Sequence, residues 1–382
     1  MKYTVASLFA GVGGICLGIA NARTNDSSFN LEWANEIDEY ASETYRINFS
    51  HKLFCCDINS ILFPDKSNDV NYFSSLKEYI GEQPIDLLNG GFPCQAFSIA
   101  GYQKGFDDDR GNLFWVVINT VKLISEKHNK PRVLFLENVK NLMSHDHGNT
   151  YKVIKSEIEK LGYVVKEHVL NTMYFSDLPQ NRERIYIVCF RDKKDADKFT
   201  LFDNLENYKK TFSKEERAEQ VKRIIDYSKK VDDKYYYTKA KYPKYFLTKE
   251  EYESIPSNER NDVRINLTED ITELYQFYQV RRGMYVRKNK NNVCPTLTAN
   301  MGTGGHNVPL ILDNFGIRKL TPEETFRLQG FPVGNGYNLP TQINGKRYPD
   351  SYLYKQAGNA VSVPVIRFIT TEILKVLEEN DN

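Results

Sequence analysis

No apolar run in this 382-residue chain approaches the ~20 residues that a membrane-spanning helix requires, so no membrane partner is expected. An excess of one charge sign is missing as well. With 51 Lys+Arg against 50 Asp+Glu, the net +1 neither implies nor excludes a polyanionic partner. The six cysteines, at 16, 55, 56, 94, 189 and 294, form no C-x-x-C pair and no His/Cys zinc spacing. No metal site is therefore expected, and free thiols of this kind suit a reducing cytoplasm. The full G-x-G-x-x-G dinucleotide pattern is also lacking, as are internal repeats and low-complexity stretches. The first 22 residues imitate a secretory signal, with Lys2, an apolar stretch and Ala20-Asn21-Ala22. Glycines 11, 13, 14 and 18 interrupt that stretch, and it reads better as a strand, a glycine turn and a helix.

What remains is an ordinary globular composition, 41% hydrophobic and 26% charged, long enough for two domains. Short apolar runs predict strands over 4–9, 31–35, 52–55, 85–89, 132–137, 163–171 and 184–190. Helical patterns over 14–22, 39–48, 113–127 and 151–161 alternate with them. That alternation predicts an α/β fold, with a mainly parallel sheet covered on both faces and ligands bound at the strand ends. After Phe190 the composition changes. Residues 191–312 are rich in Lys and Tyr, weakly periodic, and carry 24 Lys+Arg against 19 Asp+Glu. Positive charge gathers at Arg281-Arg282, Arg287-Lys288, Lys290 and Arg318-Lys319, beside Gly302-Thr303-Gly304-Gly305, and suggests contact with phosphates. A last amphipathic helix over 363–377 is expected to rejoin the first domain.

Several strand ends carry candidate chemistry. Phe9-Ala10-Gly11-Val12-Gly13-Gly14 follows the first strand and opens a helix, the setting in which a glycine turn holds a nucleotide-type cofactor; tight packing is the alternative. Glu36 ends the second strand, where an acidic residue can bind ribose hydroxyls, and Asp57 ends the third, where it can accept from an adenine amino group. Each of these carboxylates can equally be a helix cap or a surface charge. Ile85-Asp86-Leu87-Leu88-Asn89-Gly90-Gly91-Phe92 leads into Pro93-Cys94, which presents a thiol at a strand-to-loop edge. Glu137, ending the strand before Asn138-Val139, can share that crevice and donate a proton, or simply cap a helix. In an extended chain Gln180, Arg182 and Arg184 share one face, as a phosphate or carbonyl grip or as a surface ladder.

In order, these blocks resemble the DNA cytosine-C5 methyltransferases. The resemblance rests on Phe9–Gly14, Asn35-Glu36-Ile37-Asp38, Asp57-Ile58, Gly91-Phe92-Pro93-Cys94-Gln95, Glu137-Asn138-Val139 and Gln180-Asn181-Arg182-Glu183-Arg184. It continues through residues 318–332 and Gln356-Ala357-Gly358-Asn359-Ala360-Val361, covering nearly the whole chain outside 191–312. Its implied fold is the Rossmann-like S-adenosylmethionine-dependent methyltransferase fold with a smaller target-recognition domain. Its implied division is a catalytic and cofactor-binding domain over 1–190, target recognition over 191–335, and a hinge and C-terminal helix over 336–382.

The resemblance further implies S-adenosyl-L-methionine as cofactor. Gly11, Gly13, Glu36 and Asp57 would hold its adenosine, with Phe9 and Ile37 flanking the adenine. Ile58, Pro93, Leu113, Asn359 and Val361 would complete the pocket. Cys94 as thiolate would attack carbon 6 of a cytosine flipped out of double-stranded DNA. Glu137 would contact N3 and the exocyclic amine and Arg184 the O2 side, with Arg182 and Gln95 also in the catalytic group. Arg182 or Arg184 would favour the thiolate. The loop over 98–112 would close on the flipped base, and Thr296-Leu297 would belong to target recognition. The biological setting implied is a monomeric modification enzyme beside a cognate restriction endonuclease. A tRNA cytosine methyltransferase, a non-catalytic DNA-binding regulator and a nicotinamide dehydrogenase are the alternative readings. Tyr235-Tyr236-Tyr237 reads as packing rather than base stacking.

Overall fold

The computed structural model describes residues 1–92, 113–260, 263–281, 283–303 and 307–381. These fall into two compact units. The first comprises Met1–Asn171, Glu183–Lys209 and Val361–Asn382, and the second Thr172–Arg182 and Lys210–Ala360.

The first unit is built on a seven-stranded sheet. Its strands are β1 (Lys2–Leu8), β2 (Ser28–Glu36), β3 (Lys52–Cys55), β4 (Leu87–Gly90), β5 (Val133–Val139), β6 (Val164–Asn171) and β7 (Glu183–Phe190), in the order β3-β2-β1-β4-β5-β7-β6. The first five run parallel, and β7 is antiparallel to both β5 and β6. Burial on both faces explains the unbroken apolar runs: all four residues of β4, and the last six of β7, are buried. Ala6, Leu8, Leu88, Leu134 and Leu136 point into one core with residues of helices Ile58–Leu62, Val70–Glu82, Leu113–Ser125 and Asn149–Lys160. Helix Gly14–Ala20 packs against the C-terminal helix Val363–Asp381, so closely that a Cβ on Gly18 would stand 2.5 Å from Ile366. The chain passes to β2 on one side of β1 and to β4 on the other. The β1/β4 boundary is thus the switch point at which such sheets bind ligands.

The second unit holds a four-stranded antiparallel sheet, β11-β10-β8-β9, from β8 (Tyr278–Arg281), β9 (Tyr285–Lys288), β10 (Leu310–Asp313) and β11 (Gly316–Lys319). Inside it the Arg318 guanidinium, fully buried, reaches Asp313 at 2.5 Å and Glu324 at 2.7 Å. Tyr235, Tyr236 and Tyr237 are all buried, and the Tyr237 ring stacks on Tyr242 at 4.2 Å.

These units differ from the division expected at 190/191 and 335/336. Residues 191–209 stay with the first unit because Phe199 and Phe202 pack in a ring cluster with Phe190 of β7. Residues 172–182 and 336–360 belong to the second. Strand β7 starts only at Glu183, so the alternation expected over Gln180-Asn181-Arg182-Glu183-Arg184 does not hold there. Gln180 instead bridges to Cys294.

Candidate active site

The turn leaving β1 is defined by three left-handed residues, Phe9 (φ 54°), Gly11 (φ 56°) and Gly13 (φ 82°). Gly13 is required twice over, because a Cβ there would also sit 2.2 Å from the Phe49 ring. Gly11 differs: a Cβ there would meet nothing within 4 Å, so open space lies over the turn. Glu36, at the end of β2, closes the turn from beside it. Its Oε2 accepts from the Gly11 N–H at 2.7 Å, and Oε1 accepts from Ile37 N at 2.9 Å and Asp38 N at 2.8 Å. Burial pushes the Glu36 carboxyl up, against the three N–H donors that favour its charge and with Asp38 adding to the rise. Next to it Ile37 is 63% exposed, more than any other large apolar side chain among the described residues.

Asp57 is the N-cap of the short helix Ile58–Leu62, accepting from Asn59 N at 2.9 Å and Asn59 Nδ2 at 3.1 Å, both on Oδ1. Ile58 points into the core, so its side chain does not face a pocket and only its backbone is available to one. Leu113 begins the helix Leu113–Ser125, packed on the edge of the same core. Val361 is buried in the first unit, while Asn359 ends the helix Asp350–Asn359 of the second and is exposed. A buried carboxylate bound to the turn, open space over Gly11 and an uncovered Ile37 form a donor and apolar set that fits a ribose with a planar base.

The second cluster lies at the ends of β4, β5 and β7. Glu137 is almost buried, and its Oε1 stands 3.1 Å from Nε of Arg184, which β7 places near Val139 of β5. A Cβ on Gly91 would lie 3.4 Å from Glu137 Oε2, so the chain leaving β4 runs directly beside this carboxylate. Asn138 fixes that passage by donating from Nδ2 to the Phe92 carbonyl at 2.8 Å. Asn138 and Asn89 were not singled out in the sequence. Asn89 braces β4 on β1, donating to the Ala6 carbonyl at 2.9 Å and to Ser7 Oγ at 2.8 Å. A polar residue closing an apolar strand is the signal that could have found both. Pro93, Cys94 and Gln95, with the loop over 98–112, lie outside the described residues.

Arg182 does not join this cluster. Only 2% exposed, it donates to the carbonyls of Leu297 at 2.8 Å, Gly358 at 3.2 Å and Ala360, all in the second unit. Gln180 is turned the same way, its Nε2 donating to the Leu328 carbonyl at 2.7 Å. Gln180, Arg182 and Arg184 therefore do not share one face as extended chain would have them do: the first two turn to carbonyls of the second unit and Arg184 to Glu137. Gly302 is needed against the helix Asp350–Asn359, where a Cβ would meet the Ser351 carbonyl at 2.5 Å. Among the described residues no group of His, Cys, Asp and Glu could hold a metal, and no helix is long and apolar enough to cross a membrane.

The fold and these clusters define an α/β protein with its candidate chemistry at the switch point of a mainly parallel sheet. The chain belongs to the C-5 cytosine-specific DNA methylases, whose family model matches residues 3–375. It is a DNA cytosine-5 methyltransferase. It is similar to the type II methyltransferase M.Bsp6I of Bacillus sp. (strain RFL6), 46% identical over 97% of this chain and 98% of that protein. M.HaeII of Haemophilus aegyptius is 35% identical over 98% of this chain and 94% of its own length. In fold it matches a mutant of Spodoptera frugiperda DNMT2, with a TM-score of 0.62 and 18% identity over 98% of this chain and 99% of that one. Dnmt2 of S. pombe gives a TM-score of 0.61 and 16% identity over 100% of both chains.

Proposed function

We propose that this protein methylates carbon 5 of a cytosine flipped out of a short duplex DNA sequence, through a transient Cys94 adduct. The observation that carries the reading is the Glu137–Arg184 pair beside Gly91 and Phe92, two residues before the thiol in the chain. A fixed, nearly buried carboxyl next to a guanidinium suits a flipped pyrimidine, which offers N3 and an amine on one edge and O2 on the next. Glu137 holds a proton at N3 and binds the amine, and Arg184 donates to O2. Both act to draw electrons from the ring as the Cys94 sulfur bonds to carbon 6, which makes carbon 5 nucleophilic. When bound, S-adenosylmethionine supplies the electrophilic methyl group. Loss of the carbon 5 proton and of the sulfur–carbon 6 bond restores the aromatic ring and frees the thiolate. Gln95 lies next to the nucleophile in the chain and is assigned with it, while Arg182 is assigned to positioning rather than to chemistry.

For the cofactor, Glu36 binds the ribose hydroxyls, Gly11 leaves room for the ligand, and Phe9 and Ile37 flank the adenine. Asp57 offers its second oxygen to the adenine amine, with Pro93, Leu113 and Val361 assigned to the same pocket. We assign the role to a cytoplasmic monomer in a type II restriction–modification pair, with an endonuclease cutting the same site. The names of the relatives support that setting. Labelled methyl transfer to duplex DNA and to tRNA, followed by bisulfite sequencing, tests the reading. DNA alone should be modified, and Cys94→Ser should bind cofactor but transfer nothing. Preferential labelling of tRNA, or turnover by the serine variant, would overturn it.

A further inference from the structure

The cationic excess of residues 191–312 has a single location. Residues 278–290 hold five Lys+Arg and no Asp+Glu, so the rest of that segment, with 19 of each, is balanced. This stretch is the antiparallel ribbon of β8 and β9, and β9 is an edge strand of its sheet. Tyr278, Val280 and Val286 turn into the core of the second unit. Strand alternation therefore puts Gln279, Arg281, Tyr285 and Arg287 on the opposite face, where Tyr285 is 50% exposed directly across from Arg281. A two-stranded ribbon of this kind is narrow enough for the major groove of B-DNA.

The two arginines on that face are held differently. Arg287 Nη2 donates to Gln279 Oε1 at 2.6 Å and to Asn289 Oδ1 at 3.3 Å. Asn289 is itself fixed by donating from Nδ2 to the Phe277 carbonyl at 3.2 Å. Arg287 is thus orientated before any ligand arrives, with Nη1 and Nε still unengaged among the described residues. The Arg281 guanidinium makes no hydrogen bond or ion pair among the described residues; only its backbone is engaged, its carbonyl accepting from Met284 N at 3.0 Å. On the same ribbon, Lys288 is already paired with Glu273. Base readout needs a donor in a fixed position, whereas a phosphate accepts a mobile cation.

We propose that this ribbon enters the major groove and that Arg287 reads a guanine through its O6 and N7 acceptors, while Arg281 neutralises a phosphate. The inference rests on the proposed methylation of a specific duplex DNA sequence, with target recognition in the segment 191–335. It predicts that the methylated sequence contains at least one specified G·C pair besides the target cytosine.

The test is methylation of a duplex library with randomised flanks, read by bisulfite sequencing for the wild type, Arg287→Ala, Arg287→Lys and Arg281→Ala. Arg287→Ala should lose discrimination at one G·C position by about tenfold or more, leaving the other positions intact. Arg287→Lys keeps the charge but not the fork and should relax the same position. Arg281→Ala should lower kcat/KM evenly across sequences and reduce the salt slope of DNA binding by about one. Cofactor affinity and Tm of each variant establish that it is folded. An unchanged consensus in folded Arg287 variants, or relaxation by Arg281→Ala instead, overturns the assignment. Failure of the wild type to methylate duplex DNA would instead overturn the functional reading beneath it.

Discussion

At Glu36 the surrounding protein and three backbone N–H groups act on one carboxyl in opposite directions, and burial prevails. A raised folded-state pKa means the neutral form contributes stability below the ordinary carboxylate range, and this is lost as pH rises through the folded value. Ribose binding asks for the opposite, the charged acceptor. Cofactor affinity should therefore weaken as pH falls, with a midpoint above the ~4.3 of a free glutamate. In Glu36→Gln that acid limb should vanish and affinity at neutral pH drop about tenfold or more, and because the amide nitrogen cannot accept from the turn, Tm of the cofactor-free protein should fall as well. Calorimetric titrations across pH would show it, and an affinity in the glutamine variant equal to wild type would remove the ribose role. Glu137 has the Arg184 guanidinium 3.1 Å away. Glu137→Gln should cut methylation about 10²-fold or more while cofactor affinity stays within a factor of about two, measured by single-turnover transfer and calorimetry.

Among elements, the useful contrast is between Arg182 and Arg184. Their spacing is that of one strand face, yet they serve different units because β7 begins between them. Strand periodicity made the sheet legible, since seven apolar runs became seven strands. Of the carboxylates expected at strand ends, however, only Glu36 ends one; Glu137 lies inside β5 and Asp57 follows β3 as a helix cap. Periodicity could not show where β7 starts, because that depends on carbonyls of Leu297, Gly358 and Ala360 far along the chain. Glycines were ambiguous for the same reason. Gly11 and Gly13 look alike in the sequence, but only Gly13 is filled from behind by Phe49, a contact between a turn and a later helix end. Asp57 shows the remaining limit, since a cap and a ligand group are the same residue type in the same place. The glycine of Gln356-Ala357-Gly358 gives the sharpest test at this scale. A Cβ there would lie 2.1 Å from the Thr298 carbonyl carbon, a backbone atom that cannot swing aside. Gly358→Ala should destabilise the second unit by about 1–3 kcal/mol, seen as an early transition in a thermal melt, while cofactor binding persists.

For the whole molecule, the order of blocks along the chain indicated the family, but the chain crosses between its two units four times, and composition alone detects none of the crossings. The first unit is assembled from three separate stretches. One polar cluster ties β1, the start of β5, the segment after β7 and the C-terminal helix together. Arg132 donates from Nε to Asp195 at 2.6 Å and from Nη1 to both oxygens of Asp381 at 2.7 and 2.8 Å, and the Tyr3 hydroxyl donates to Asp381 at 2.8 Å. The two carboxylates are unequal partners. Asp195 is fully buried, so Arg132→Ala leaves an uncompensated charge inside the unit and should cost about 3–5 kcal/mol. Asp381 is partly exposed, so Asp381→Asn should cost no more than about 1 kcal/mol. Partial burial works to raise the Asp381 pKa, but the Tyr3 bond and the Arg132 charge hold it below the usual value. Its contribution is therefore present above the unfolded-state pKa near ~3.9 and is lost as pH falls through the lower folded value. Urea unfolding of wild type and Asp381→Asn should accordingly differ at pH 7 and converge in acid. A gap that persists unchanged at low pH would show that Asp381 stabilises by packing and not by its charge.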